Sequence, residues 1–136
     1  MEKIRICIGS NDKENIARSH MGDTEQFFIY DLFKEKEAIL IENRKNGVRE
    51  LDHSASDKMS QILRIVKDAD ILVAWQKSPN FINIARKTKY QPVIVKGEKI
   101  DDILTILQNS FNKLTDLVEN RLNGKYSIEL PEYGKF

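Results

Sequence analysis

The chain has 136 residues, a length typical of one domain that buries a substantial core. Charged residues make up 32% and hydrophobic residues 40%, and 22 basic side chains against 21 acidic ones leave a net charge of +1. This near-neutral balance lacks the electrostatic footprint of a protein that binds duplex nucleic acid or an anionic membrane surface. No apolar run reaches the length of a transmembrane helix.

The start of the chain and its cysteine content predict the cellular compartment. Met1-Glu2-Lys3 leads directly into an alternating apolar strand, so we expect no signal peptide. Cys7 is the single cysteine, which excludes an internal disulfide. A reducing, cytoplasmic setting is therefore expected.

Five segments carry the apolar patterns of β-strands. The first alternates, the second and third are separated by a charged turn and predict a hairpin, and the last two are short continuous apolar runs typical of buried parallel strands. In chain order these segments are Ile4–Ile8, Phe27–Tyr30, Ala38–Ile41, Ile71–Ala74 and Pro92–Val95.

Three segments carry helical patterns. The first follows a capping pattern, Ser54-x-x-Asp57, and the second begins at Ser78-Pro79, a cap residue followed by proline. The third runs from Ile100 to Leu122, with Gly124 placed to close it. Its apolar positions at three- and four-residue spacing are Ile100, Ile103, Leu104, Leu107, Phe111, Leu114, Val118 and Leu122.

The order of elements is β β β α β α β α, followed by a tail. This order predicts a mixed sheet with helices packed on it, as one α/β domain over residues 1–124. The tail, residues 125–136, has alternating Tyr126, Ile128 and Leu130. A short edge strand and an arm onto a partner are alternatives, but a loosely docked terminus is the expectation.

The loop after the first strand contains Ser19-His20-Met21-Gly22 and leads into Phe27-Phe28-Ile29-Tyr30-Asp31. Gly22 is expected to let the backbone turn without a Cβ clash. Loops at strand ends are where rigid folds present chemistry, so His20 is the first candidate site residue.

These segments resemble the dinitrogenase iron–molybdenum cofactor biosynthesis family. That family has a strand, a short loop ending in Ser/Pro-His-Phe-Gly and an aromatic-rich strand ending in Tyr-Asp. Glu42-Asn43-Arg44 looks like the end of its third strand, and the resemblance runs from about Ile4 to Leu107. It implies a ribonuclease H-like fold with three helices and a five-stranded mixed sheet in the order 3-2-1-4-5, in which strand 2 is antiparallel to the rest.

The resemblance also implies a function. Members of the family bind or carry an iron–sulfur-type or iron–molybdenum-type cluster, and they work with metallocluster donor or acceptor proteins. We therefore expect a non-catalytic cluster carrier and no enzyme, with a monomer and a homodimer both open. The chain has no constellation of residues for acid–base or nucleophilic catalysis, which agrees with this expectation.

Two departures from the family pattern favour an alternative. Met21 stands where the family usually has phenylalanine, and the loop Trp75-Gln76-Lys77-Ser78-Pro79 has no glycine where the family has a glycine-rich loop. The alternative is a protein-interaction or regulatory module of the same fold that has lost cofactor binding.

A nuclease is not favoured despite the fold. Ribonuclease H-type catalysis needs clustered carboxylates, one of them central on the first strand, to hold two divalent metals. The segment Ile4–Ile8 contains no acidic residue. Asp68 and Asp70 lie at the start of the fourth strand, on the rim opposite the His20 loop, and are interpreted as solvated turn residues.

The candidate cofactor-binding residues are His20, Gly22, His53 and Trp75, with His20 as the candidate metal ligand. His20 is equally well explained as a loop histidine that hydrogen-bonds the local backbone. His53 is expected to return to the same rim because the third strand runs parallel to the first, and Trp75 follows the fourth strand at that rim. An exposed histidine and a partly buried aromatic are the alternatives for these two. Cys7 is expected to behave as a small buried hydrophobe.

Overall fold

Six strands form one sheet in the order β3-β2-β1-β4-β5-β6 in the computed structural model, which describes residues 2–50 and 55–134. The strands are β1 (Lys3–Ser10), β2 (Gln26–Phe33), β3 (Ile39–Lys45), β4 (Ile71–Ala74), β5 (Gln91–Val95) and β6 (Glu132–Tyr133). β2 pairs antiparallel with β1 and β3, whereas β1, β4, β5 and β6 pair parallel with one another. The predicted α/β fold, the order 3-2-1-4-5 and the antiparallel strand 2 are therefore confirmed.

The helices pack on both faces of this sheet. They are α1 (Ala55–Ile65), α2 (Pro79–Lys87), α3 (Ile100–Asn109) and α4 (Phe111–Leu122). The predicted cap residue of the first helix, Ser54, lies outside the described residues. Within the described residues, none of the helices is long and apolar enough to cross a membrane.

Alternation along the buried strands divides the core in two. Ile6 and Val73 face α3 and α4, and they belong to a cluster that includes Leu107 and Leu114. Cys7 and Leu72 face the other way, toward residues of α1 and α2. The site described below belongs to the second face.

The long C-terminal helix is interrupted, which the spacing of apolar residues does not reveal. Ser110 separates α3 from α4 with φ −109° and ψ 17°, and its N–H donates to the carbonyl of Leu107 in a tightened turn. Four helices therefore replace the predicted three. The apolar stripe continues across the break from Leu107 to Phe111, because both residues pack in the same core cluster.

The prediction that Leu122 is the last buried position of that stripe is wrong. Leu122 is 60% exposed, and Arg121 is buried in its place at 2% exposure. The guanidinium of Arg121 donates to the carbonyls of Ala85 at 3.0 Å, Thr88 at 2.8 Å and Ser127 at 2.9 Å. It also donates to Oε1 of Gln91 at 2.7 Å, so α2, β5 and the tail share one cation.

The segment predicted as a tail contributes the sixth strand. β6 extends the sheet beyond β5, and the N–H of Lys96 donates to the carbonyl of Tyr133 at 2.9 Å. The N–H of Ile94 donates to the carbonyl of Pro131 at 2.9 Å. These bonds pair the outer side of β5, so the short edge strand, rather than the loosely docked terminus, is the interpretation that fits.

Candidate functional site

His20 lies at the mouth of a pocket formed by the loop after β1, by α1 and by α2. We call residues 11–25 the His20 loop. His20 is exposed and extended, and it directly precedes a short 3-10 helix, Met21–Asp23. The pocket measures about 210 Å³. Its lining includes His20, Gly22, Asp23, Lys58, Asn80 and Phe81.

The pocket combines an apolar floor with a polar mouth. Met21 and Phe81 are buried and belong to the core cluster under the pocket. Lys58 of α1 is ion-paired with Asp23 at the mouth. α2 begins beside them, where Ser78 Oγ accepts a hydrogen bond from the N–H of Phe81 at 3.1 Å. A helix N-terminus favours negative charge, so the pocket combines an imidazole, a positive helix end and the ion pair of Lys58 with Asp23.

Buried residues that lie far apart in the sequence hold the His20 loop in place. Asn46 is 2% exposed and follows β3. Its Nδ2 donates to the carbonyl of Gly22 at 2.9 Å and to that of Thr24 at 2.8 Å, while its Oδ1 accepts from the N–H of Val48 at 3.2 Å. Both hydrogens of the Asn46 amide thereby fix the loop, while its oxygen holds the turn that follows β3. Sequence reasoning missed Asn46 because an asparagine before a glycine indicates an ordinary turn.

Gly9, rather than Gly22, is the glycine that this loop requires. A Cβ on Gly9 would lie 2.8 Å from Cγ2 and Oγ1 of Thr24, so only glycine lets Thr24 cover the end of β1. Thr24 Oγ1 in turn donates to the carbonyl of Met21 at 3.0 Å. A Cβ on Gly22 would meet Cε of Lys58 at 3.6 Å, an ordinary contact, and Gly22 has no positive φ. The expected steric need for glycine at position 22 is therefore wrong.

Trp75 shares the rim with His20 but lies on the other face of the sheet. Its ring packs against the core cluster under α3 and α4, and it does not line the pocket. The ring lies between two cations, with Cζ of Arg18 at 4.9 Å and Nζ of Lys96 at 3.8 Å from its centroid. Gln76 Nε2 donates to the carbonyl of Arg18 at 2.6 Å. The structure therefore brings Trp75 to the His20 loop, through Arg18, without bringing it to the pocket.

His53 is the remaining candidate, and Cys7 is the residue that was expected to be a buried hydrophobe. His53 lies outside the described residues. Cys7 is fully buried in the core cluster, and burial raises the pKa of its thiol. A neutral buried thiol is a small hydrophobe and a poor metal ligand, as expected for this position.

Three aspartates lie at the opposite rim, and each is hydrogen-bonded or ion-paired to an arginine. Arg5 Nε lies 2.8 Å from Oδ1 of Asp31, and Arg5 Nη1 lies 3.0 Å from Oδ2 of Asp68. Arg44 Nη1 lies 2.6 Å from Oδ1 of Asp68. Asp70 Oδ2 accepts from the N–H of Arg5 at 2.9 Å. Asp68 and Asp70 thus have fixed partners, which corrects their interpretation as solvated turn residues.

Neither rim offers a preformed cage for a bare metal ion within the residues that the structure describes. Among residues 2–50 and 55–134, no group of three or more His, Cys, Asp or Glu side chains is placed to hold a metal. A larger and shallower depression of about 850 Å³ lies beside the β2–β3 turn, at the rim away from His20. Its lining includes Phe33 and Phe111 and none of the predicted site residues. The His20 pocket is therefore the candidate site.

Comparison with known proteins connects this site to a family. Curated proteins give no match to the chain. The family model described as dinitrogenase iron-molybdenum cofactor matches residues 2–110, which include every strand from β1 to β5 and the whole His20 loop. The chain belongs to the dinitrogenase iron–molybdenum cofactor family.

Proposed function

We propose that this protein is a non-catalytic carrier that binds an iron–sulfur-type or iron–molybdenum-type cluster as cargo at the His20 pocket. The observation that carries the proposal is the exposed imidazole of His20 at the mouth of a pocket of about 210 Å³, in a chain that belongs to a cofactor family. The carrier receives the cluster from a donor protein and passes it to an acceptor protein, in a cytoplasmic setting.

The donor set of the pocket suits a preassembled cluster better than a bare ion. His20 supplies one nitrogen ligand, and a structural metal ion needs about four protein ligands. A cluster brings its own sulfides, so the protein has fewer coordination positions to fill. The N-terminus of α2 favours an anionic cargo, whereas the charge of Lys58 is balanced by Asp23. Few protein ligands also make release easier, which a carrier requires.

We assign His20 the role of cluster ligand and His53 a secondary role beside it. Gly22 contributes backbone to the pocket wall beside Lys58. Trp75 has no contact with the cargo in this proposal. It lies on the other face of the sheet and contacts the His20 loop through Arg18.

The test uses anaerobic titration with a thiolate-ligated iron–sulfur cluster of four irons and four sulfides. We expect saturable quenching of Trp75 fluorescence, because the cluster absorbs broadly and Trp75 is the single tryptophan. We also expect iron to remain with the protein after gel filtration. His20→Ala should weaken both signals, and His53→Ala should weaken them less. Nitrogen hyperfine coupling in the electron paramagnetic resonance spectrum of the loaded, reduced protein should disappear in His20→Ala.

Two outcomes separate the ligand assignment from the function. Unchanged affinity and unchanged nitrogen coupling in His20→Ala would remove His20 as the ligand. Absence of both quenching and retained iron in the wild-type protein would reject the carrier function.

One observation favours a second candidate function, an interaction or regulatory module without cargo. The glycine-free loop after β4 places Trp75 between Arg18 and Lys96, so the protein's own side chains fill that face of the rim. A protein that retains no iron but is captured by a cluster-assembly protein would support this module.

A further inference from the structure

We propose that Asn80 donates hydrogen bonds to the cargo of the His20 pocket, and that it thereby favours an anionic, sulfide-bearing cluster in its reduced form. Asn80 is the second residue of α2 and lines the pocket together with His20. The inference rests on the proposed function, because it names the chemistry by which the same pocket recognises its cargo.

Most polar side chains that line the pocket already have a partner in the chain. Lys58 and Asp23 form an ion pair with each other, and Ser78 Oγ accepts a hydrogen bond from the backbone of α2 at 3.1 Å. The side chains of His20 and Asn80 make no hydrogen bond or ion pair with any part of the chain that the structure describes. These two side chains are therefore the polar groups that the pocket keeps free for a cargo.

The backbone at the start of α2 adds few donors of its own. Pro79 has no N–H, and the N–H of Phe81 donates to Ser78. The amide of Asn80 carries two N–H donors and one acceptor oxygen. Its side chain is therefore the main hydrogen-bonding group that α2 brings to the pocket.

The charge of the helix end decides which atoms of the Asn80 amide meet the cargo. The N-terminus of α2 favours negative charge, and an anionic cargo accepts hydrogen bonds rather than donating them. The sulfides of an iron–sulfur cluster are acceptors of this kind. The amide oxygen, by contrast, suits hard ions such as magnesium or calcium. Asn80 therefore acts as a donor to the sulfides, beside the nitrogen ligand that His20 supplies.

The structure holds the ligand and the donor at one rim before any cargo arrives. His20 follows β1 and Asn80 follows β4, and these two strands are parallel neighbours. Gln76 Nε2 donates to the carbonyl of Arg18 at 2.6 Å, so the segment before α2 is fixed to the His20 loop. Groups that are already in place lose little freedom on binding, which favours affinity.

Hydrogen bonds from Asn80 would change the reduction potential of the bound cluster. Reduction adds negative charge to the cluster, so its sulfides become stronger acceptors. Donated hydrogen bonds then stabilise the reduced form more than the oxidised form, which raises the potential. For a one-electron couple, a preference of about tenfold for the reduced form corresponds to about 59 mV.

The test is an anaerobic redox titration of the protein loaded with the thiolate-ligated four-iron cluster. Asn80→Ala should lower the midpoint potential by about 59 mV, equivalent to an about tenfold loss of preference for the reduced form. Asn80→Asp should lower it further because it also adds a negative charge, whereas Asn80→Gln keeps both donors and should retain most of the wild-type potential. Asn112→Ala is the matched control, since Asn112 is the second residue of α4 and lines the depression at the other rim. Circular dichroism checks that each variant folds.

A second probe, thiosulfate, separates this inference from the carrier function because it is an iron-free anion with a terminal sulfur. In nitrogen-15 NMR spectra, the side-chain amide signals of Asn80, identified by their loss in Asn80→Ala, should shift saturably with thiosulfate. An unchanged potential in Asn80→Ala, or equal changes in Asn80→Ala and Asn112→Ala, would overturn the proposal and leave the carrier function intact. A protein that retains no iron but shows the thiosulfate shift would reject the carrier function and support anion recognition by Asn80. Absence of both signals would overturn both.

Discussion

Asn46→Asp is the substitution that most directly tests how the His20 loop is held. Asparagine and aspartate have nearly the same shape, so the change removes two N–H donors without creating a cavity. The carbonyls of Gly22 and Thr24, now 2.9 and 2.8 Å from Nδ2, would face a carboxylate oxygen instead. Each buried acceptor left without a donor costs about 1–3 kcal/mol. Because the Gly22 contact is only partly buried, we expect a loss of about 2–4 kcal/mol in the free energy of unfolding.

Asn43→Asp is the matched control for this loss. Asn43 lies on the same strand, but its side chain is exposed and donates to Gln26 Oε1 at 2.7 Å. Exposed substitutions of this kind usually change stability by less than about 0.5 kcal/mol. Urea denaturation of the wild-type protein and the two variants measures the difference. Equal losses in Asn46→Asp and Asn43→Asp would refute the idea that Asn46 anchors the loop.

The pH dependence of the variant provides a signature that a merely structural loss would not show. A carboxyl at position 46 that faces carbonyls is more favourable when protonated, since it then donates a hydrogen bond again. Its pKa in the folded state is therefore raised above its unfolded value. The stabilising contribution of this carboxyl to the folded state is therefore fully present below its unfolded pKa. It is lost as pH rises through its folded pKa. The stability gap between the wild-type protein and Asn46→Asp should therefore narrow as pH falls.

Two further predictions concern the core and the charged rim. Leu107→Ala should lower the free energy of unfolding by about 2–5 kcal/mol, because Leu107 is fully buried against the sheet. Asn109→Ala, at an exposed position of the same helix, should lower it little. Comparable losses in thermal denaturation would show that the apolar face is misassigned. The hydrogen bond from Arg5 lowers the pKa of Asp31. The stabilising contribution of Asp31 to the folded state is therefore present above the unfolded carboxyl pKa of about 3.9, and it is lost as pH falls through the folded pKa. Asp31→Asn should flatten the loss of stability in acid, and an unchanged acid transition would contradict this assignment.

Sequence patterns predicted the sheet well because strand order depends on properties that the chain displays locally. Continuous apolar runs such as Ile71–Ala74 and Pro92–Val95 indicate strands buried on both faces, and the helices between them require parallel crossovers. The charged turn before β3 indicates a hairpin, which makes β2 antiparallel. Those local signals indicated the five strands, and the family resemblance implied their order in the sheet.

The features that the sequence did not predict have a different physical origin, because each depends on the tertiary structure around it. Arg121 is buried by carbonyls of α2 and the tail, and the helical spacing allows either position 121 or position 122 to face the core. β6 is two residues long and exists only because β5 offers an open edge. Ser110 interrupts a stripe whose apolar spacing continues on both sides. None of these features has a periodic signal.

The candidate site was located by the rarity of histidine and by the family pattern, and the position of Trp75 on the other face of the sheet follows from the alternation of side chains along β4. Val73 faces α3 and α4, and Trp75, two residues later, continues on that face, while Leu72 and Ala74 face the pocket side. Arg18 contacts Trp75, and His20, two residues later in the same loop, lines the pocket on the opposite face. Arg18 therefore joins the His20 loop to Trp75 twice, because its guanidinium lies near the indole ring and its carbonyl accepts a hydrogen bond from Gln76, the residue next to Trp75.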